Sequence, residues 1–132
     1  YYDARKISSP KDLYDLLADF LDDADREKLI VVCLNTKNEP INITTVSVGT
    51  LSESHAVPRD ILKTAILSNS AKIMLAHNHP SGDTTPSNAD WSATERLIEA
   101  GKIIGVELLD HIIIGAGSYT SLRGLNQNIF RK

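Results

Sequence analysis

Two histidines and an aspartate lie close together in one polar stretch of the chain. His77 and His79 are two residues apart at the end of an apolar run, and Asp90 follows a loop rich in Pro and Gly. Residues two apart on an extended backbone point to the same side, so both imidazoles can face one metal ion. Three protein ligands leave a zinc ion one open position, where a bound water has a lowered pKa. The stretch predicts a catalytic site for one Zn²⁺ per chain, with ligands His77, His79 and Asp90.

Each half of this stretch also has a simpler interpretation. A His-x-His pair by itself usually has no function. Ser87 and Asp90 have the spacing of a capping box, in which two side chains bind the free amides at the start of a helix. The roles are compatible, because Asp90 can be a ligand while Ser87 still caps the helix. The sequence contains no His-Glu-x-x-His, no Gly-x-Ser-x-Gly and no phosphate-binding loop, and one cysteine cannot complete a zinc deaminase signature.

The elements that position these residues are predicted from hydrophobic periodicity, caps and turn residues. Ser9-Pro10 is typical of a helix start, and apolar residues then recur with helical spacing. Short runs rich in β-branched residues and bounded by turn residues predict strands. The predicted order is a helix over 9–21, strands over 29–34 and 41–48, a helix over 58–68, a strand over 71–76, a helix over 87–100, and strands over 106–114 and 119–122.

This order of elements indicates a mixed β-sheet flanked by helices, of the α/β (α+β) class. A chain of 132 residues is long enough for one core and too short for two, so residues 1–132 are predicted to form a single domain. Residues 1–8 and 126–132 are expected to be peripheral, and the tail from Arg123 is polar and basic. Because the chain has no starting Met, missing N-terminal sequence is a candidate for a second domain.

The composition argues against several partners. A net charge of −3 and few aromatic residues give no basic surface for direct binding to nucleic acid. No run of about 18 apolar residues is present, so the chain is not expected to span a membrane. Cys33 lies in an apolar run and is predicted to be a buried small hydrophobe, which fits a reducing cytoplasm.

The stretch around the histidines resembles the JAMM motif of the JAB/MPN metallopeptidases. The motif is His-x-His, seven residues, Ser, two residues and Asp, and it runs here from His77 to Asp90 without a gap. Asn78 to Gly82, together with Pro58-Arg59-Asp60 upstream and Leu109-Asp110-His111 downstream, is similar to the RadC branch, formerly described as DNA repair proteins. The resemblance extends from about Ser9 to Leu125. It implies the JAB/MPN (cytidine deaminase-like) architecture.

The resemblance also implies roles for a glutamate and a serine. The family uses an upstream Glu as general base, and Glu27, between the first helix and the following strand, matches that position. Glu39 and Glu53 are the rivals, and without the resemblance Glu27 would be an ordinary solvated charge. Ser87 is implied to stabilise the oxyanion that forms during hydrolysis.

Four further polar residues have weaker assignments. Asp110 and His111 lie in an apolar strand, where a side chain can reach the site and orient a ligand, or can be structural. Arg59 is expected to support structure, and His55 has no predicted role.

The function expected from these residues is a zinc metallopeptidase that acts on a protein or peptide. The alternative is an accessory module for DNA repair or recombination with a structural or vestigial metal site. A metal-dependent nuclease would more often use several carboxylates and two metals. A pure interaction domain would normally have lost metal ligands, and this chain retains the complete set.

Overall fold

The computed structural model describes residues 6–21, 27–48 and 58–131. Its helices are α1 (Pro10–Leu21), α2 (Pro58–Leu67), α3 (Asn88–Ile104), α4 (Leu122–Leu125) and α5 (Gln127–Arg131). Its strands are β1 (Lys28–Leu34), β2 (Pro40–Val48), β3 (Lys72–Asn78), β4 (Glu107–Gly115) and β5 (Ser118–Ser121). All the predicted helices and strands are present, with ends that differ by up to four residues.

The strands form one mixed sheet in the order β2-β1-β3-β4-β5. β1 is antiparallel to β2 and β3, β3 is parallel to β4, and β4 is antiparallel to β5. Parallel neighbours need a long crossover, and α3 supplies it between β3 and β4. The predicted fold class, a mixed sheet flanked by helices, is therefore confirmed.

Helices cover both faces of the sheet. Leu13 and Leu17 of α1 are fully buried in the core on one face. Ile61 of α2 and Leu97 of α3 are buried in the core on the opposite face. Because both faces are covered, β1 is buried along nearly its whole length and has a continuous apolar sequence rather than an alternating one.

A β-bulge in β4 determines which of its side chains face which layer. Ile73 of β3 pairs with Leu108, but the next residue, Met74, pairs with Asp110, so Leu109 is an extra residue in β4. As a result, Asp110 lies opposite Met74 on the α1 face. His111 pairs with Leu75, which belongs to the core beneath α2 and α3.

The structure differs from the sequence-based expectations at three places. α3 continues to Ile104, four residues beyond the predicted end, because the left-handed Gly105 (φ 81°) provides its C-cap. Ile66, whose helical spacing places it on one face with the buried Ile61, Leu62 and Ala65, is 60% exposed near the end of α2. The tail after Arg123, expected to be polar and basic, contains α5, whose Ile129 and Phe130 pack partly buried against the core.

Two expectations from the sequence were that Cys33 is buried and that the chain does not span a membrane. Cys33 is fully buried in β1, as predicted, and burial raises the pKa of its thiol above the usual value. Within the three described ranges, no helix combines the length and the apolar character needed to cross a membrane.

Candidate metal centre

The two histidines of the motif converge at the carboxyl end of β3. His77 lies in the strand and is 1% exposed, whereas His79 follows the last strand residue. The amide of His79 donates to the carbonyl of Ile114 (2.9 Å), which carries the pairing with β4 past the end of the strand. The alternation of side chains therefore continues through both histidines, and their Nε2 atoms lie 3.0 Å apart.

Asp90 faces the same point from the first turn of α3. Its Oδ1 lies 3.2 Å from Nε2 of His77, and its Oδ2 lies 3.6 Å from Nε2 of His79. The carboxylate also accepts the Ser87 amide (2.7 Å), while Oγ of Ser87 accepts the Asp90 amide (3.1 Å). The capping box is thus present, and it holds the Asp90 carboxylate, which is 1% exposed, against the imidazoles.

The spacing of these donor atoms fits a tetrahedral metal ion. Bonds from zinc to nitrogen or oxygen of about 2.0–2.2 Å separate two tetrahedral ligands by about 3.3–3.6 Å. The two Nε2 atoms lie 3.0 Å apart, Oδ1 of Asp90 lies 3.2 Å from that of His77, and Oδ2 lies 3.6 Å from that of His79, so each separation is near the tetrahedral range. In addition, Nδ1 of His79 lies 2.7 Å from the Asp83 carbonyl, which can only accept, so Nδ1 carries a proton and Nε2 is the nitrogen left to bind a metal ion.

Glu27 adds a second carboxylate to this cluster. One of its carboxylate oxygens and one ring nitrogen of each motif histidine all lie within 4.8 Å of one another. The register explains this position, because Leu29 of β1 pairs with His77 and Glu27 precedes it at the same end of the sheet. The buried Asn78 side chain holds this end of β1 in place by accepting the amide of Lys28 (2.7 Å).

The electrostatics of the cluster favour a neutral imidazole at His77. Burial lowers the pKa of His77 to about 4. The Asp90 carboxylate opposes this shift, and the neighbouring His79 adds a smaller lowering. At neutral pH His77 is therefore uncharged, which is the state in which imidazole binds a metal.

The loop between His79 and Ser87 is held against the β4–β5 hairpin. Gly82 has a positive φ of 89° and packs on Gly115, where a β-carbon would overlap the Gly82 carbonyl oxygen. The hydroxyl of Thr120 donates to that of Thr84 (2.7 Å). Since the Asp83 carbonyl of this loop orients the His79 ring, loop docking and ligand geometry are linked.

Comparison with protein families identifies the chain. A family model of the RadC-like JAB domain matches residues 7–127, which is most of this chain. The chain belongs to this family.

Three curated relatives of this RadC-like domain bear the name UPF0758 protein. Those of Moorella thermoacetica and Clostridium acetobutylicum are 52% and 50% identical to it over 120 and 122 residues. That of Methanosarcina barkeri is 45% identical over 119 residues. These alignments cover 90–92% of this chain and 52–53% of the relatives. The RadC-like domain therefore spans about half the length of the curated relatives it matches.

The fold of the RadC-like domain separates Glu27 from one of its rivals. Glu39 accepts a hydrogen bond from Asn35 in the turn between β1 and β2. Because Leu29, not Leu34, pairs with His77, this turn lies at the far end of β1, about 17 Å from the histidines. Glu53 and His55 lie outside the described residues, and Arg59 is exposed near the start of α2.

The two candidate orienting residues in β4 of the RadC-like domain point in different directions. Asp110 lies on the face away from the histidines, where it accepts hydrogen bonds from the Ser121 hydroxyl (2.6 Å) and the Arg123 amide (3.1 Å). Burial raises the pKa of its carboxyl above the usual value. Asp110 therefore anchors the chain around the start of α4, on the face of the sheet opposite the motif histidines, which is the structural role that the sequence had left open.

His111, in contrast, contacts a motif histidine directly. It is fully buried; its Nε2 lies 2.9 Å from Nδ1 of His77, and its Nδ1 lies 2.7 Å from Oγ1 of Thr94. Burial lowers the pKa of His111 well below its usual value. Thr94 had no predicted role from the sequence. The available signal was its position four residues after Asp90, on the same face of α3.

Proposed function

We propose that this RadC-like domain is a zinc-dependent hydrolase of the JAMM type that cleaves peptide or isopeptide bonds. The observation that supports this function best is the meeting of two imidazoles and two carboxylates at one end of the sheet. In this proposal His77, His79 and Asp90 hold one Zn²⁺ per chain. Glu27 is then the carboxylate left for proton transfer.

The residues around the site have distinct roles in hydrolysis. When bound, Zn²⁺ supplies a Lewis acid that polarises a carbonyl group and lowers the pKa of a water molecule to about 7. Glu27 accepts the proton of the attacking water and delivers it to the leaving amine, a contribution of about 10²–10⁴ in rate. Ser87 is exposed, and its oxygen accepts the Asp90 amide, so its proton can be donated to the developing oxyanion.

The test of this function combines metal content with a search for cleaved bonds. The purified chain, loaded with Zn²⁺, is incubated in ¹⁸O-labelled water with a linear peptide library and with a library of isopeptide-linked lysines. New carboxyl termini that contain ¹⁸O are identified by mass spectrometry. We expect about one zinc per chain and labelled termini from the wild type. The library that yields labelled termini, linear or isopeptide-linked, would identify the substrate class.

Glu27→Gln is the matched control for this experiment. It keeps the size of the side chain and removes the base, so zinc content should match the wild type while labelled termini disappear. Asp90→Ala should lose zinc as well as activity. If the wild type and Glu27→Gln, each fully loaded, give the same products or none, a hydrolase function with Glu27 as base is wrong.

The alternative role in DNA repair or recombination has less support from the described residues. Arg123, the first basic residue of the tail, donates through its guanidinium to the Leu109 carbonyl (2.8 Å) and lies over the Phe130 ring (5.9 Å). It is thus engaged within the fold rather than in a basic surface. We propose a protein or peptide substrate in the cytoplasm and no direct contact with nucleic acid from this domain.

A further inference from the structure

Thr94 has one hydroxyl proton and two buried neighbours that compete for it. Its Oγ1 lies 2.7 Å from the backbone carbonyl oxygen of Asp90 and 2.7 Å from Nδ1 of His111. A carbonyl oxygen can only accept a hydrogen bond, whereas an imidazole nitrogen can donate or accept. The Thr94 proton must therefore point to Asp90. It follows that Nδ1 of His111 is the donor to Thr94.

The position of the proton on His111 determines the position of the proton on His77. His111 is fully buried, and within the described ranges its two ring nitrogens contact a hydroxyl and another imidazole but no carboxylate, so a charged ring would be strongly disfavoured. A neutral His111 with its proton on Nδ1 has a lone pair on Nε2. That lone pair lies 2.9 Å from Nδ1 of His77, so His77 must donate from Nδ1.

The consequence lies at the metal site. With its single proton on Nδ1, His77 presents a lone pair at Nε2, beside Oδ1 of Asp90 (3.2 Å) and Nε2 of His79 (3.0 Å). Without His111 the opposite tautomer would be favoured in the metal-free protein. A proton on Nε2 of His77 would then bind the Asp90 carboxylate and occupy the position where the ion belongs.

We propose that Thr94 and His111 are positioning residues that hold the proton of His77 on Nδ1, so that its Nε2 is available to a metal ion. This role rests on the proposed metal centre. It explains why a fully buried histidine and a fully buried threonine lie next to each other beneath the ligands. Outer partners of this kind typically change metal affinity about 10–100-fold when they are removed.

The first measurement is made on the metal-free protein. Long-range ¹H–¹⁵N spectra of ¹⁵N-histidine-labelled chain distinguish protonated from unprotonated ring nitrogens for each histidine. In the wild type we expect His77 and His111 both to be protonated on Nδ1. A wild-type His77 protonated on Nε2 would overturn the proposal without reference to any variant.

The second measurement compares Thr94→Val with Thr94→Ser. Valine has nearly the shape of threonine but no hydroxyl, whereas serine keeps the hydroxyl that accepts from His111. In Thr94→Val we expect His77 to acquire the Nε2-protonated form and Zn²⁺ affinity, measured against a chromophoric chelator, to fall about 10–100-fold. Thr94→Ser should keep the wild-type tautomer and bind Zn²⁺ within a few-fold of the wild type. A wild-type thermal transition confirms that each variant is folded.

The outcomes separate this role from the proposed function. If both variants and the wild type bind Zn²⁺ equally and share one His77 tautomer, the role of Thr94 and His111 is wrong while the metal centre stands. If the wild type does not bind Zn²⁺, the proposed function fails. The spectra of the metal-free wild type and Thr94→Val still decide whether this pair sets the His77 tautomer.

Discussion

Gly115 lies directly against the carbonyl oxygen of Gly82, so a β-carbon on Gly115 would overlap that oxygen. The contact joins the end of β4 to the loop whose Asp83 carbonyl orients His79. Only a residue without a side chain allows the loop to approach the strand this closely. The position of one proposed metal ligand therefore depends on a backbone contact some 35 residues further along the chain.

Gly115→Ala should displace the loop and weaken zinc binding. The added methyl group must push the loop away, at a cost of about 1–3 kcal/mol in the free energy of unfolding. Gly101→Ala is a matched control, since a β-carbon there would overlap the Val106 carbonyl oxygen at the far end of α3. Both variants should be destabilised in urea unfolding. Only Gly115→Ala should show weaker Zn²⁺ binding in the folded state, and equal affinities would contradict the proposed link.

Asp90 has two roles, as a proposed metal ligand and as a member of the capping box, and substitutions can separate them. Asp90→Asn keeps an oxygen that can accept the Ser87 amide but removes the charge, so zinc affinity should fall strongly while stability changes little. Ser87→Ala removes the cap of the Asp90 amide and keeps the ligand, so stability should fall by about 1 kcal/mol with zinc retained. Chelator competition and urea unfolding measure the two effects. If Asp90→Asn binds zinc as tightly as the wild type, Asp90 is not a ligand.

Zinc should stabilise the fold by binding to its proposed ligands, His77, His79 and Asp90. An ion that binds only the folded state adds about 2.7 kcal/mol to the free energy of unfolding at a free concentration 100 times its Kd. We therefore expect the Tm to rise when Zn²⁺ is added to the metal-free wild type. His79→Ala, which lacks one ligand, should show little change. A similar rise in both proteins would indicate that zinc binds elsewhere.

Asp110 should give the metal-free protein a specific dependence of stability on pH. Burial raises the pKa of its carboxyl in the folded state above the unfolded value of 3.8, so the folded state retains the proton to higher pH. The stability from the protonated carboxyl is fully present below pH 3.8 and is lost as the pH rises through the folded pKa.

Asp110→Asn, which does not titrate at this position, isolates that effect. The free energy of unfolding of the wild type minus that of the variant should fall as the pH rises from below 3.8 to neutral, in chelator-treated protein. Urea unfolding across this range measures the difference, and a ¹³C titration of the Asp110 carboxyl checks the raised pKa. A difference that stays constant or increases with pH would show that the burial of Asp110 does not act in this way.

Much of the site could be predicted because it is encoded locally. The side chains of His77 and His79 share a side because a strand has a period of two. Asp90 stands in the first turn of a helix because Ser87 caps it at the standard spacing. The limits of the elements followed from caps and turn residues in the same way. The end of α3 was missed because Gly105, rather than the loss of apolar spacing, terminates it.

The partners of these local motifs were decided by tertiary structure. Sequence left Glu27, Glu39 and Glu53 as candidates for the same role, and the pairing of Leu29 with His77 put Glu27 at the site and Glu39 at the far end of β1. Strand register is set by packing between distant segments, which a local pattern does not contain.

The clearest case is the choice between Asp110 and His111. Both are adjacent in one apolar strand, and the sequence alone made either one a candidate to reach the ligands. The extra residue at Leu109 shifts the alternation of β4 by one position relative to β3. That single shift turns His111 toward His77 and Thr94 and turns Asp110 to the opposite face, because consecutive side chains of a strand point to opposite sides of the sheet.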